Sequence, residues 1–192
     1  MEKKHFITIA GKLGSGKSST AKRVASTLGY EHYSSGDLMR ILAKDRGMTL
    51  GELSTVAETD TSIDEELDLY VKKIGEKENV VIDSRLGFYW IPNSFKVFLE
   101  LDPETASTRI SEDTKTNTLR HHEHTGSVST NEDLIESIEA RLSSEKKRYF
   151  NLYNIKDHTD NSQFDLVIDT KINSLDEVVE KVLKEYKNWL TH

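Results

Sequence analysis

Four short stretches of the chain are dominated by apolar, β-branched or aromatic residues, at 6–10, 80–82, 95–99 and 164–168. They carry little polar alternation, which is the pattern of strands covered on both faces. A weaker fifth candidate is Glu31, His32 and Tyr33. Between these runs the apolar positions recur at helical spacing, over roughly 17–28, 36–45, 63–78, 104–112, 131–153 and 175–189. Strands separated by helices of this length need crossover connections. The pattern therefore predicts an α/β fold, with a mostly parallel sheet and helices on both of its faces, in a single domain spanning 1–192.

The alternation breaks at 113–130, which reads DTKTNTLRHHEHTGSVST, polar and without a helical or strand period. A loop of that length inside a compact domain is usually functional or disordered. Ser129 and Thr130 have Glu132 and Asp133 three residues after them, the spacing of a capping box for the long helix that follows. His121, His122 and His124 lie within the loop, but their close spacing brings no fourth ligand with it. A solvated polar lid is the better reading than a zinc site. The helix from 175 carries Val178, Val179, Val182, Leu183 and Tyr186 at packing positions.

Composition narrows the chemistry. The 192 residues include no cysteine, so disulfides, thiolate zinc sites and thiol nucleophiles are excluded. With 26 Lys and Arg against 33 Asp and Glu, the net charge of −7 argues against a general nucleic-acid binder, yet leaves room for arginines converging in a cleft. The apolar run at 6–10 is too short for a signal peptide, and nothing approaches the roughly 20 apolar residues of a membrane span. A cytoplasmic protein is expected.

The most specific chemical signal is Gly11-Lys12-Leu13-Gly14-Ser15-Gly16-Lys17-Ser18, a complete G-x-x-x-x-G-K-[ST] directly after the first strand and before the first helix. Its glycines allow a tight backbone loop whose N–H groups, with the start of the helix through Ser19, point at a polyphosphate. Lys17 can then bridge the β- and γ-phosphates, and the Ser18 hydroxyl can take a place on Mg²⁺. The loop specifies a nucleotide, not a reaction. An Asn-Lys-x-Asp guanine motif is absent.

An acceptor side is legible in three further places. Ser35, Gly36, Asp37 and Arg40 open a helix after the weak second strand. Asp83 and Arg85 follow the strand at 80–82, where ligands of open α/β sheets bind. Asp83 could hold a Mg²⁺-bound water and Arg85 could grip an acceptor phosphate with a bidentate fork. Arg141, Glu145 and Arg148, at spacings of four and three, share one helical face beside the apolar stripe Leu134, Ile138, Leu142 and Tyr149, which predicts a position at the rim of the core. Phe88, Tyr89 and Trp90 read as core or hinge packing in preference to a base-stacking platform.

These segments resemble the nucleoside monophosphate kinases, and among them the short cytidylate kinases of archaeal type. SSGDLMR is similar to that family's acceptor motif, AKDRGMTLGELSTVAETDTSIDEELD to its acceptor-binding helices, VVIDSRLG to its "EGR" strand end, and SSEKKRYFNLYNI with FDLVIDT to its C-terminal third. The resemblance implies a P-loop NTPase fold with five mostly parallel strands, a mobile acceptor-binding region at about 34–78 and a lid at about 113–130. It implies transfer of the γ-phosphoryl group of ATP, with Mg²⁺, to CMP or dCMP, by a monomer that engages neither nucleic acid nor membrane. Arg40 and Arg85 match the arginines on the acceptor phosphate; Arg141 and Glu145 match residues facing sugar and base. Lys17, Arg109 and Arg148 match the catalytic cations, with Arg120 as a second lid candidate. Two departures stand out: Asp83-Ser84 where the family commonly has Glu-Gly, and Glu145 where it commonly has Asp. The alternatives are a kinase for AMP, UMP or a metabolite hydroxyl, and a non-catalytic ATP-binding switch.

Overall fold

A computed structural model describes residues 3–116 and 130–192. In chain order they form β1 (Phe6–Gly11), α1 (Lys17–Leu28), β2 (Glu31–Ser34), α2 (Ser35–Asp45), α3 (Leu50–Val56), α4 (Ser62–Ile74), β3 (Val80–Asp83), α5 (Gly87–Trp90), β4 (Phe95–Glu100), α6 (Pro103–Thr116), α7 (Asn131–Tyr153), a 3-10 turn at Asn161–Gln163, β5 (Leu166–Asp169) and α8 (Leu175–Thr191). The strands make one parallel sheet in the order β2-β3-β1-β4-β5. Every connection between them is a crossover, as the alternating pattern requires.

The chain divides into two compact units, one of Met1–Gly36, Asp68–Leu101 and Thr159–His192, the other of Asp37–Leu67 and Asp102–His158. The first holds the sheet. Successive side chains of β1 point to opposite faces, so Ile7 and Ile9 join Val24, Val97, Leu99, Val182 and Tyr186 beneath α1 and α8, while Phe6 joins Val71, Val80, Ile82 and Ile91 on the other face. β5 departs from the expectation of a strand covered on both faces. It is an edge strand paired only with β4, and one of its faces is open, with Val167 36% exposed while Ile168, on the other face, is buried. The second unit has its own core of Leu42, Ala43, Leu50, Leu53, Ala57 and Ile63 from α2, α3 and the start of α4. In the same unit α6 packs along α7.

Several boundaries differ from the sequence expectation. α3 lies outside the expected helices, although the capping box of Thr49 and Glu52 that starts it is visible as T-x-x-E. The one-turn α5 is also additional, being too short for periodicity to reveal. The helix expected over 63–78 ends at Ile74, and Gly75 follows, where a Cβ would come within 3.0 Å of Ile91. The lid expected from 113 begins inside α6, which runs on to Thr116. Arg120, His121, His122, His124 and Ser129 lie outside the described residues. Of the two candidate caps of α7, Thr130 does the capping: its hydroxyl accepts from the Asp133 N–H and the Asp133 carboxylate accepts from its own.

The tightest steric demand falls at the end of β1. Gly11 has φ +150°, and a Cβ there would lie 2.5 Å from the Leu99 carbonyl oxygen of β4. Gly29, which closes α1 at φ +68°, has open space where a methyl group would go, with nothing within 4 Å. Gly11→Ala should therefore cost about 3 kcal/mol or more, overpacking added to backbone strain. Gly29→Ala should cost only about 1 kcal/mol of left-handed strain. Urea unfolding of the two variants side by side checks the difference, and equal losses would show that the β1–β4 approach is not what requires glycine.

Candidate active site

Between β1 and α1 the chain turns through Gly11, Gly14 (φ 71°) and Gly16 (φ 81°), a set of backbone angles that side-chain-bearing residues rarely adopt. The Ser15 N–H closes the turn on the Lys12 carbonyl at 3.3 Å. Lys17 folds back over the loop and donates from Nζ to the same carbonyl at 2.6 Å, while Lys12 pairs with Glu100 at 3.0 Å. α3, α7 and α8 each begin with a capping box, but α1 begins at Gly16 with no side-chain cap and no acidic residue in its first turn. Its first N–H groups and the positive end of its dipole thus stay available to an anion. The Ser15 hydroxyl is buried in the loop and is without a hydrogen-bond partner among the described residues. A polyphosphate is the kind of ligand that such a loop is built to take.

At the end of β3, one strand away from the loop, sits the Asp83 carboxylate, 5% exposed. Parallel register aligns Ser34 of β2 and Ile9 of β1 with Asp83, so the three strands deliver their C-terminal ends to one edge. Oδ1 accepts from the hydroxyls of Ser18 (3.0 Å) and Ser34 (2.9 Å), and Oδ2 lies 2.8 Å from His32 Nε2. The Ser35 hydroxyl donates to the Asp83 carbonyl at 3.3 Å. Burial pushes the Asp83 carboxyl up, but the hydrogen bonds from His32, Ser34 and Ser18 and the electrostatic pull of His32 outweigh it. The group is held below its ordinary value and stays ionised. A serine hydroxyl beside an ionised carboxylate is a hard-oxygen pair that suits magnesium held partly through water. Arg85, placed on the acceptor by the sequence, donates from Nη1 to the Gly11 carbonyl at 2.7 Å and so also braces the phosphate loop.

The remaining predicted residues, Asp37, Arg40, Arg109, Arg141, Glu145 and Arg148, belong to the second unit. Arg40 pairs with Asp37 one turn earlier at 2.6 Å. Arg109 lies half-buried on α6. The face of α7 expected at the rim of the core is deeper than that: Glu145 and Arg148 are 4% and 7% exposed. They can be buried because each has partners. Arg148 donates from Nε to Asp64 at 2.9 Å and from Nη1 to Ser144 at 3.0 Å. Glu145 accepts from Arg141 Nε at 3.2 Å and lies 3.6 Å from His158 Nε2. Burial pushes the Asp64 carboxyl up against the opposing charge of Arg148.

Sequence reasoning missed His32, Ser34, Asp64 and His158. Ser34 and His32 sit in a strand of only four residues, where no period marks an inward-facing side chain. Asp64 stands beside Glu65 and Glu66 at the start of α4, and nothing in the sequence marks which of the three is buried. Phe88 and Trp90 pack as expected, whereas Tyr89 is 40% exposed. Phe88 packs on Phe164 with ring centroids 4.8 Å apart, and Trp90 donates from Nε1 to Asp68 at 2.7 Å beneath the Lys72 ammonium.

The cytidylate kinase-like family's sequence profile matches residues 6–172. The cytidylate kinase of Natronomonas pharaonis is 38% identical over 189 residues, covering 94% of this chain and 90% of that protein. The cytidylate kinase of Methanococcus maripaludis is 33% identical, covering 95% and 99%. A third relative, an S-adenosylmethionine-dependent nucleotide dehydratase of Lacinutrix mariniflava, is 32% identical over 94% of this chain, which matches only 36% of that longer protein. Among solved structures, the shikimate kinase of Bacteroides thetaiotaomicron superposes with a TM-score of 0.65 at 16% identity, covering 95% of this chain and 98% of the other, which shows a shared P-loop kinase fold. With the phosphate loop, the parallel sheet and the likeness to cytidylate kinases along nearly the whole chain together, the chain belongs to the cytidylate kinase-like family of nucleoside monophosphate kinases.

Proposed function

We propose that the protein transfers the γ-phosphoryl group of MgATP to CMP or dCMP, acting as a monomer in the cytoplasm. The observation that carries nucleotide phosphorylation is the uncapped start of α1 behind the glycine loop, with Ser18 3.0 Å from the ionised Asp83. The choice of a cytidine nucleotide rests on the likeness to cytidylate kinases along nearly the whole chain.

In this reading the loop amides from Gly11 to Ser19 cradle the phosphates of ATP. Lys17 leaves the Lys12 carbonyl for the bridge between β and γ. Ser18 and Asp83 would hold magnesium, Asp83 through water, and the bound ion would supply neutralising positive charge beside the phosphates. Ser35, Gly36, Asp37, Arg40 and Arg85 bind the acceptor phosphate, and Arg141 and Glu145 its sugar and base. Arg109 and Arg148 spread the charge of the equatorial oxygens as the phosphoryl group passes in line. A protein general base has no task, because the acceptor phosphate oxygen is already ionised near neutral pH. Catalysis is positioning and charge stabilisation, and it requires water to be excluded so that hydrolysis does not compete.

ADP release from MgATP, measured with CMP, dCMP, UMP, AMP and GMP offered separately beside an acceptor-free blank, should rise most with CMP or dCMP. A larger response to AMP or UMP would move the acceptor, and no response to any would leave an ATP-binding switch. Lys17→Ala should lower kcat by about 10²-fold or more, the scale of losing one preorganised cation or donor, with an unchanged circular dichroism spectrum. Retained turnover would remove the loop lysine from the reaction. Arg40→Ala should raise the acceptor KM about tenfold, the loss of one charge-assisted contact, and leave the ATP dissociation constant unchanged. A defect confined to ATP would misplace that arginine.

A further inference from the structure

Three side-chain donors converge on the Asp83 carboxylate. Two hydroxyls, from Ser18 and Ser34, reach Oδ1, and a third donor from β2 reaches the other oxygen. The three are not equivalent. A serine hydroxyl can swivel about its Cβ–Oγ bond and follow an oxygen that moves. A ring N–H cannot; it is fixed by two side-chain torsions and, here, by the strand that carries it. His32 is half-buried on β2, whose register with β3 places Ser34 directly opposite Asp83. It is therefore the one stiff donor on the carboxylate among the described residues, and it alone holds Oδ2.

The consequence reaches Ser18. While its hydroxyl proton is given to Asp83 Oδ1, the lone pairs of Ser18 Oγ must face elsewhere, and a cation approaching the hydroxyl needs those lone pairs. The direction of the Ser18 lone pairs thus depends on where Oδ1 lies. Oδ1 in turn depends on the plane of the carboxylate, which His32 sets from the far side. We infer that His32 is a positioning residue for the magnesium side of the nucleotide site, acting on Ser18 through the Asp83 carboxylate. The inference rests on the reading of Ser18 and Asp83 as the magnesium side. It adds to that reading a residue that neither the phosphate-loop motif nor the strand-end motif contains.

Calorimetric titration of the intact protein with ADP, once with excess Mg²⁺ and once with EDTA, measures how much the metal tightens nucleotide binding without any turnover. His32→Phe keeps a ring but no donor, and His32→Asn keeps an amide too short to reach Asp83. Both should lose about tenfold of the Mg²⁺-dependent gain, the scale seen when a group supporting a metal ligand is removed, with the EDTA affinity unchanged. His32→Gln, whose amide N–H reaches about as far as Nε2, should keep the gain. Melting temperatures of the three variants identify any that fails to fold, and either His32→Phe or His32→Asn is sufficient by itself. If a folded variant of these two keeps the full gain, or if Gln loses as much as Phe, the assignment is overturned. Asp83→Asn separates the two levels. If it abolishes the gain while His32→Phe does not, only the role of His32 falls. If Asp83→Asn keeps the gain, the reading of Asp83 itself falls.

Discussion

A carboxylate buried at the end of a central strand must be ionised or neutral, and in this protein its donors decide which. Asp83 would be driven towards the neutral acid by its burial, and unpaired it would be expensive to keep there. Donors from two other elements reverse that. Ser18 comes from α1, and His32 and Ser34 come from β2, so the same contacts that keep the charge also tie the nucleotide helix and the edge strand to β3. The phosphate loop is anchored from the same side, where Arg85, two residues after Asp83, holds the Gly11 carbonyl. The phosphate loop, Ser18 and Arg85 are thus not separate devices. They hang from one strand end.

The second unit poses the opposite problem with the same chemistry. Asp64, Glu145 and Arg148 are buried charges in a helical layer that apolar residues could have filled. Buried ion pairs of this kind are weak evidence for stability, since desolvation can exceed the attraction regained. Arg148 is gripped by Asp64 and Ser144, and Glu145 lies between Arg141 and His158. An arginine so held has little side-chain freedom left to lose.

Much of this was legible in the residues. Four of the five strands, the parallel crossovers and the long α7 follow from the sequence pattern, because unbroken apolar runs, period 3.6 and the lengths between them are local properties of a chain, whereas the short β2 is only weakly marked. The nucleotide loop follows from spacing alone, since three glycines at those positions have a backbone meaning that survives in any context. Errors gathered where local signal is thin: one-turn α5, the C-terminal ends of α4 and α6, and the open outer face of β5. An edge strand and a central strand can share a sequence pattern, and only the sheet order tells them apart.

The chemistry divides along the same line. Residue type and spacing single out Lys17, Ser18, Asp83 and Arg85, because a polyphosphate needs amides, hard oxygens and cations at known separations, while the roles expected of Arg40, Arg109, Arg141 and Arg148 rest on the resemblance to nucleoside monophosphate kinases. What those groups do to one another was decided by tertiary structure. That Arg85 braces the loop, that Arg148 and Glu145 are buried and partnered, and that His32 meets Asp83 all depend on contacts between residues 49 to 84 positions apart, or on burial that neighbouring elements impose. Spacing along a chain fixes which side chains share a face; only the packing of one element on another fixes what each face meets.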